Sequence, residues 1–316
     1  MNEHISADVR CLFPPKSEAA RAQVLAFARS APLKPGNWRE LKWLYKQAES
    51  TTEDDVLATL IARFDATEFA QQIEGPSDLT IGYMKRRARR YLRALGQSDP
   101  DRYTQLAQRV LATVGADRPL LDIGFQWVSA DILFGGSDRV QQRSRGRGLC
   151  VLQPESAPPR LREERFPVAW DGRSDLVERL YTLPDLPWQT YEFALNVLLA
   201  NGVAVPGVDE RVLAQLLRSG SPLLVDHSVH VIAATLQQGS SVDAALVAEA
   251  FFLGHGGVSR QIRAHFALRR ANSDWDAAFV ARSIGLLGER FSRGGLIRRQ
   301  IHLARLLADE MLSECS

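Results

Sequence analysis

One feature constrains this chain more than any other: its apolar residues recur at intervals of three and four, the period of an α-helix, in every strongly patterned stretch. The pattern is sharpest over residues 80–96, where Ile81, Met84, Ala88, Tyr91, Leu92 and Leu95 fall on one stripe. Arg86, Arg89, Arg90 and Arg93 fall opposite, with Lys85 and Arg87 on the flanks. The spacing predicts a helix that docks its stripe on a core and turns a positive strip to solvent. Asp78 or Thr80 can cap its start, and Gly96 followed by Asp99 and Pro100 is expected to stop it.

The same period predicts helices at 17–30, 38–50, 52–64, 103–114 and 120–133. Thr52, Glu53, Asp54 and Asp55 mark a start, a capping oxygen followed by carboxylates at the positive end of the helix dipole. The period fails at Gly135 and Gly136, and residues 135–173 hold Pro154, Pro158, Pro159 and Pro167 together with the run Arg143 to Gly148. Within them, residues 149–152 read as a short extended segment, and Phe166 and Trp170 are placed to anchor residues 162–171 on the helices. The helical period resumes afterwards as a ragged repeat over 186–220, 221–257 and 258–295, each an apolar helix, a short turn and a second helix. A last helix is expected at 296–311. A helix pair repeated every 30 to 45 residues, roughly, cannot bury both faces alone and stacks on its neighbours. The expected fold is therefore all-α: an α-solenoid of stacked antiparallel helix pairs, with an N-terminal helical region over 1–134, an irregular central loop over 135–173 and C-terminal helical repeats over 174–316.

A net charge of +2 over 316 residues means that any surface for nucleic acid or an acidic partner is local. Five of the 39 basic residues are lysine, so such a surface would be built from arginine. Cys11, Cys150 and Cys315 have no metal-like spacing, which disfavours a disulfide framework or a zinc knuckle. The first thirty residues lack the apolar run of a signal peptide, and no stretch approaches a membrane span, so a cytoplasmic location is expected with no membrane partner.

Residues 38–49, the helix at 83–96, the segment Ile132 to Ser137 and the segment Arg162 to Asp171 resemble segments found in that order in uncharacterised bacterial helical-repeat proteins. The second half is similar in general to HEAT-like repeats. The resemblance implies a bacterial α-solenoid and no particular chemistry.

Candidate sites are few. Lys85, Arg86, Arg89, Arg90 and Arg93, spaced by turns of roughly 5.4 Å, could meet a run of anionic groups, or could pair with acidic residues nearby such as Asp99 and Asp101. Arg143, Arg145 and Arg147 could follow a nucleic-acid backbone. Trp127 and Asp131, one turn apart, together with Trp188 resemble the aromatic and carboxylate groups with which a HEAT-like DNA glycosylase could stabilise a cationic damaged nucleotide; core packing is the competing reading. Asp226, His227 and His230 lack the spacing of a zinc-binding helix, with His255 and His265 further on, and residues 254–257 lack the strand and Lys-Ser or Lys-Thr of a phosphate loop. No cofactor or metal is expected. The leading expectation is a non-enzymatic scaffold that binds a protein partner, followed by a nucleic-acid-binding solenoid and then by a glycosylase.

Overall fold

The computed structural model describes residues 9–67, 78–116, 127–137, 140–142, 149–151, 162–253 and 273–292. These residues are all-α apart from one short antiparallel hairpin, β1 (Val140–Gln142) with β2 (Leu149–Val151), in which Gln141 faces Cys150. β2 is the extended segment expected at 149–152. The chain divides into two compact units, Met1–Gly207 and Val208–Ser316. The expected helices at 120–126, 258–272 and 296–311 fall outside the described residues.

In the first unit, α1 (Glu18–Ser30), α2 (Pro35–Thr51), α4 (Asp78–Ser98), α5 (Pro100–Ala116) and α6 (Trp127–Phe134) all pack against α3 (Asp54–Ala66). α3 buries residues around its whole circumference, from Val56 and Leu57 to Phe64 and Asp65, as a helix at the centre of a core must. Its ends are tied by charge. Asp54 takes two hydrogen bonds from Arg102, Asp55 accepts from both Arg21 and Arg109, and Arg63 donates to the carbonyls of Phe27, Ala28 and Ala31 at the end of α1. Arginine suits these positions because one planar fork spans two acceptors on a neighbouring helix.

α4 runs from Asp78 to Ser98, past Gly96, and ends directly before Asp99 and Pro100, the second half of the expected stop. Gly96 is instead a packing position: a methyl group there would overlap the ring of Phe166. Phe166 meets Tyr103 edge to face at 5.0 Å, and Trp170 stands edge-on to Tyr103 at 6.3 Å and to Phe193 at 5.1 Å. This aromatic ladder fixes residues 162–171, which include the one-turn α7 (Pro167–Trp170), between α5 and the pair α8 (Ser174–Thr182) and α9 (Trp188–Ala200). Trp170 is fully buried, and the expected anchoring by Phe166 and Trp170 holds.

The second unit contains α10 (Glu210–Leu217), α11 (Pro222–Gln237), α12 (Ala244–Leu253) and α13 (Ser273–Ser292) around Leu213, Val229, Ile232, Val247, Phe251 and Phe279. Asp209 and Ser221 cap α10 and α11 through their side chains. The two helices of the repeat read at 186–220, α9 and α10, belong to different units. No described helix is long and apolar enough to cross a membrane.

Candidate functional site

α4 has three charged sides and one buried side, and its five arginines divide among the three charged sides. On the side toward α2, Arg87 donates from Nε and Nη2 to Glu49 at 2.8 and 2.6 Å. Its Nη1 also reaches the hydroxyl of Tyr83 at 3.5 Å. On the side toward α6, Arg93 grips Asp131 with two hydrogen bonds of 2.9 and 2.5 Å. Arg165 donates to the same carboxylate at 2.7 Å, and Arg89 lies 3.8 Å from it. On the outer side, Arg86 and Arg90 are exposed and form no ion pair among the described residues, beside Tyr83 at 43% exposure. Asp99 and Asp101, the partners suggested by proximity in sequence, are engaged elsewhere. Asp99 accepts from the backbone of Arg102, and Asp101 pairs with Arg173.

Lys85 corrects the sequence reading. It lies on the buried face of α4 at 1% exposure, not on the flank of a solvent-facing strip. Its ammonium donates to the carbonyl oxygens of Asp65, in the last turn of α3, and of Thr67, just past its end, at 2.8 and 3.1 Å. The Asp65 carboxylate in turn accepts from the backbone N–H groups of Val128 and Ser129 and from the Ser129 hydroxyl. Asp65 thus holds the first turn of α6, where orphan N–H groups and the positive dipole end favour a carboxylate. Burial pushes the Asp65 carboxyl up, opposed by Lys85 and by these three hydrogen bonds.

Asp131 is 11% exposed at its side chain. Burial pushes its carboxyl up, but the hydrogen bonds from Arg93 and Arg165 outweigh this and hold it below the ordinary carboxylate range. Burial lowers the Arg89 guanidinium, with Arg93 and Arg165 adding to the effect and Asp131 opposing it. Trp127 opens α6 and approaches Gly82 of α4, one turn before Asp131. Trp188 opens α9 and is 39% exposed. Nearby, Leu133, Phe134, Glu163, Glu164, Gln189 and Phe193 line a shallow pocket, in which Glu163 accepts from Ser137 and Glu164 from Arg162. Arg143, Arg145 and Arg147, between the two strands, lie outside the described residues, as do His255, His265 and the segment 254–257.

The second unit repeats the same device. Glu249 of α12, its side chain 4% exposed, takes hydrogen bonds from Arg218 at the end of α10 and from Arg282 of α13. Burial raises its carboxyl, and the two arginines bring it net below the ordinary range. On α11, His230 Nδ1 contacts the Asp226 carbonyl at 2.8 Å. His227 is lowered by burial and by His230. Among the described residues no group of three or more His, Cys, Asp and Glu side chains is arranged to hold a metal ion.

Sequence reasoning missed Asp65, Glu49, Arg165 and Glu249. Each acts on a residue 31 to 63 positions away, so no local pattern marks it. Comparison with protein-family models, with curated proteins and with solved structures finds no match for this chain.

Proposed function

We propose that the chain is a non-enzymatic helical scaffold, its helix pairs stacked in the manner of an α-solenoid, that binds a protein partner. The observation that carries this reading is the employment of its charged residues. Asp131, Glu49, Asp65 and Glu249 are each engaged by groups from a different element, so the most chemically suggestive side chains hold helices together. Three guanidiniums around Asp131 neutralise the carboxylate that a cationic nucleotide would need, which weighs against the glycosylase reading. The contacts of α10 with α11 and of α12 with α11 and α13 support stacked neighbours in the second unit.

A nucleic-acid-binding solenoid is the second reading, favoured by one observation: Arg86 and Arg90 remain exposed on α4. Cross-linking followed by mass spectrometry in an extract of the source cells tests the first reading. A gel shift with duplex and single-stranded oligonucleotides at two salt concentrations tests the second. The expected outcome is a stoichiometric protein partner and no salt-sensitive shift. A shift that weakens steeply with salt, without a protein partner, would replace the scaffold with the nucleic-acid reading. Release of base from alkylated DNA would overturn both.

A further inference from the structure

With the arginines that serve as ties and the buried Lys85 set aside, five cations of α2 and α4 remain, of which Lys42 is half-buried with its ammonium 5.7 Å from the centre of the Trp38 ring. On α2, Arg39, Lys42 and Lys46 follow one another at intervals of three and four, opposite the buried Leu41, Leu44, Tyr45 and Ala48. On α4, Tyr83, Arg86 and Arg90 do the same, opposite the buried Ile81, Met84, Ala88 and Leu92. One ion pair of 2.6 Å, between Glu49 of α2 and Arg87 of α4, joins the two rows. Lys46 precedes Glu49 by three positions on α2, and Tyr83 precedes Arg87 by four on α4 and accepts from it, so both flank this tie. Glu49 is the carboxylate between the rows and is engaged by Arg87, while Glu40 of α2 turns to Arg10.

We propose that this two-helix ridge, Arg39, Lys42, Lys46, Tyr83, Arg86 and Arg90, is the docking surface for an acidic helical segment of a partner protein. The proposal rests on the protein-partner reading above and names the chemistry of the partner. The spacing accommodates an acidic helix, and the overall charge disfavours a phosphodiester chain. The pairs Lys42 with Lys46 and Arg86 with Arg90 each rise by one four-residue step, about 6 Å, and carboxylates placed four apart on a helix alongside rise by the same distance. An overall charge of +2 also gives little of the long-range field by which general nucleic-acid binders gather their ligand. The exposed ring of Tyr83, flanked by arginines, supplies the aromatic anchor common at protein interfaces.

Fluorescence anisotropy of the full chain with a labelled helical peptide bearing glutamate at every fourth position tests this, with a poly-dT oligonucleotide as the competing probe. The variant Lys46→Gln/Arg86→Gln/Arg90→Gln is expected to bind the peptide roughly tenfold more weakly or worse. The variant Lys16→Gln/Arg29→Gln/Arg179→Gln, equal in charge and altered at exposed positions elsewhere, is expected to bind it as the unaltered chain does. Equal weakening by both variants, or no binding by the unaltered chain, overturns the ridge. Tighter binding of the oligonucleotide, lost in the ridge variant, overturns the ridge as a protein surface and the scaffold reading with it. A cellular partner still cross-linked to the ridge variant at the original yield overturns the ridge alone and leaves the scaffold standing.

Discussion

Lys85 lies beneath α4 with its ammonium 2.8 Å from the carbonyl oxygen of Asp65, while the Asp65 carboxylate holds the first turn of α6. One buried pair therefore joins three helices: the end of α3, the underside of α4 and the start of α6. Replacing Lys85 with Met keeps much of the apolar stem but leaves two carbonyls without their donor and Asp65 without a countercharge. The expected loss is roughly 3 to 5 kcal/mol in urea unfolding, the scale of a buried pair deprived of one member. A loss below about 1 kcal/mol would mean that water replaces the ammonium.

Gly96 tests the packing of residues 162–171. Gly96→Ala would gain helix propensity at an exposed site but here forces a methyl group into the Phe166 ring. The expected net effect is destabilisation of about 1 to 3 kcal/mol, with loosening of Phe166 from Tyr103 visible as faster proteolysis after Arg165. Stabilisation by this change would remove the packing role.

Leu92 is 2% exposed in the stripe that faces the core. Leu92→Ala is expected to cost about 2 to 5 kcal/mol through lost transfer energy and a cavity, measured by chemical denaturation.

Much of the fold was legible because helices with a buried face write their period into the sequence. The α4 stripe and the helices on either side of it follow from spacing, and the extended residues 149–151 from a short apolar run inside the stretch where the period fails. Lys85 shows where residue type misled. It lies four positions after Ile81, three before Ala88 and seven before Leu92, so its spacing belongs to the buried stripe, but its charge argued for the flank. Gly96 shows the limit of local stop signals, since its small size answers to Phe166, 70 positions later. Asp131 was singled out by its place one turn from Trp127, yet the identity of its partners depends on how α4 and residues 162–166 come together. No periodicity encodes that meeting.

Acid should weaken the first unit partly through Asp131. Its folded carboxyl is held below the usual value of 3.8 that it would have unfolded, so its contribution is complete above that pH and fades as pH falls through the lower, folded value. Unfolding midpoints followed downward from neutral pH are therefore expected to drop less steeply near pH 4 and below in Asp131→Asn than in the unaltered chain. Parallel curves would assign acid sensitivity to other carboxylates.

The central claim is that the arginines of α4 divide into ties and surface. Equilibrium unfolding of two double variants, Arg89→Gln/Arg93→Gln and Arg86→Gln/Arg90→Gln, measures it directly, because both remove two positive charges from the same helix. The first is expected to lose roughly 1 to 3 kcal/mol as Asp131 gives up one bidentate partner and one neighbour while still shielded by Arg165. The second is expected to stay within about 0.5 kcal/mol of the unaltered chain. Equal losses from the two variants, or a larger loss from the exposed pair, would contradict the account.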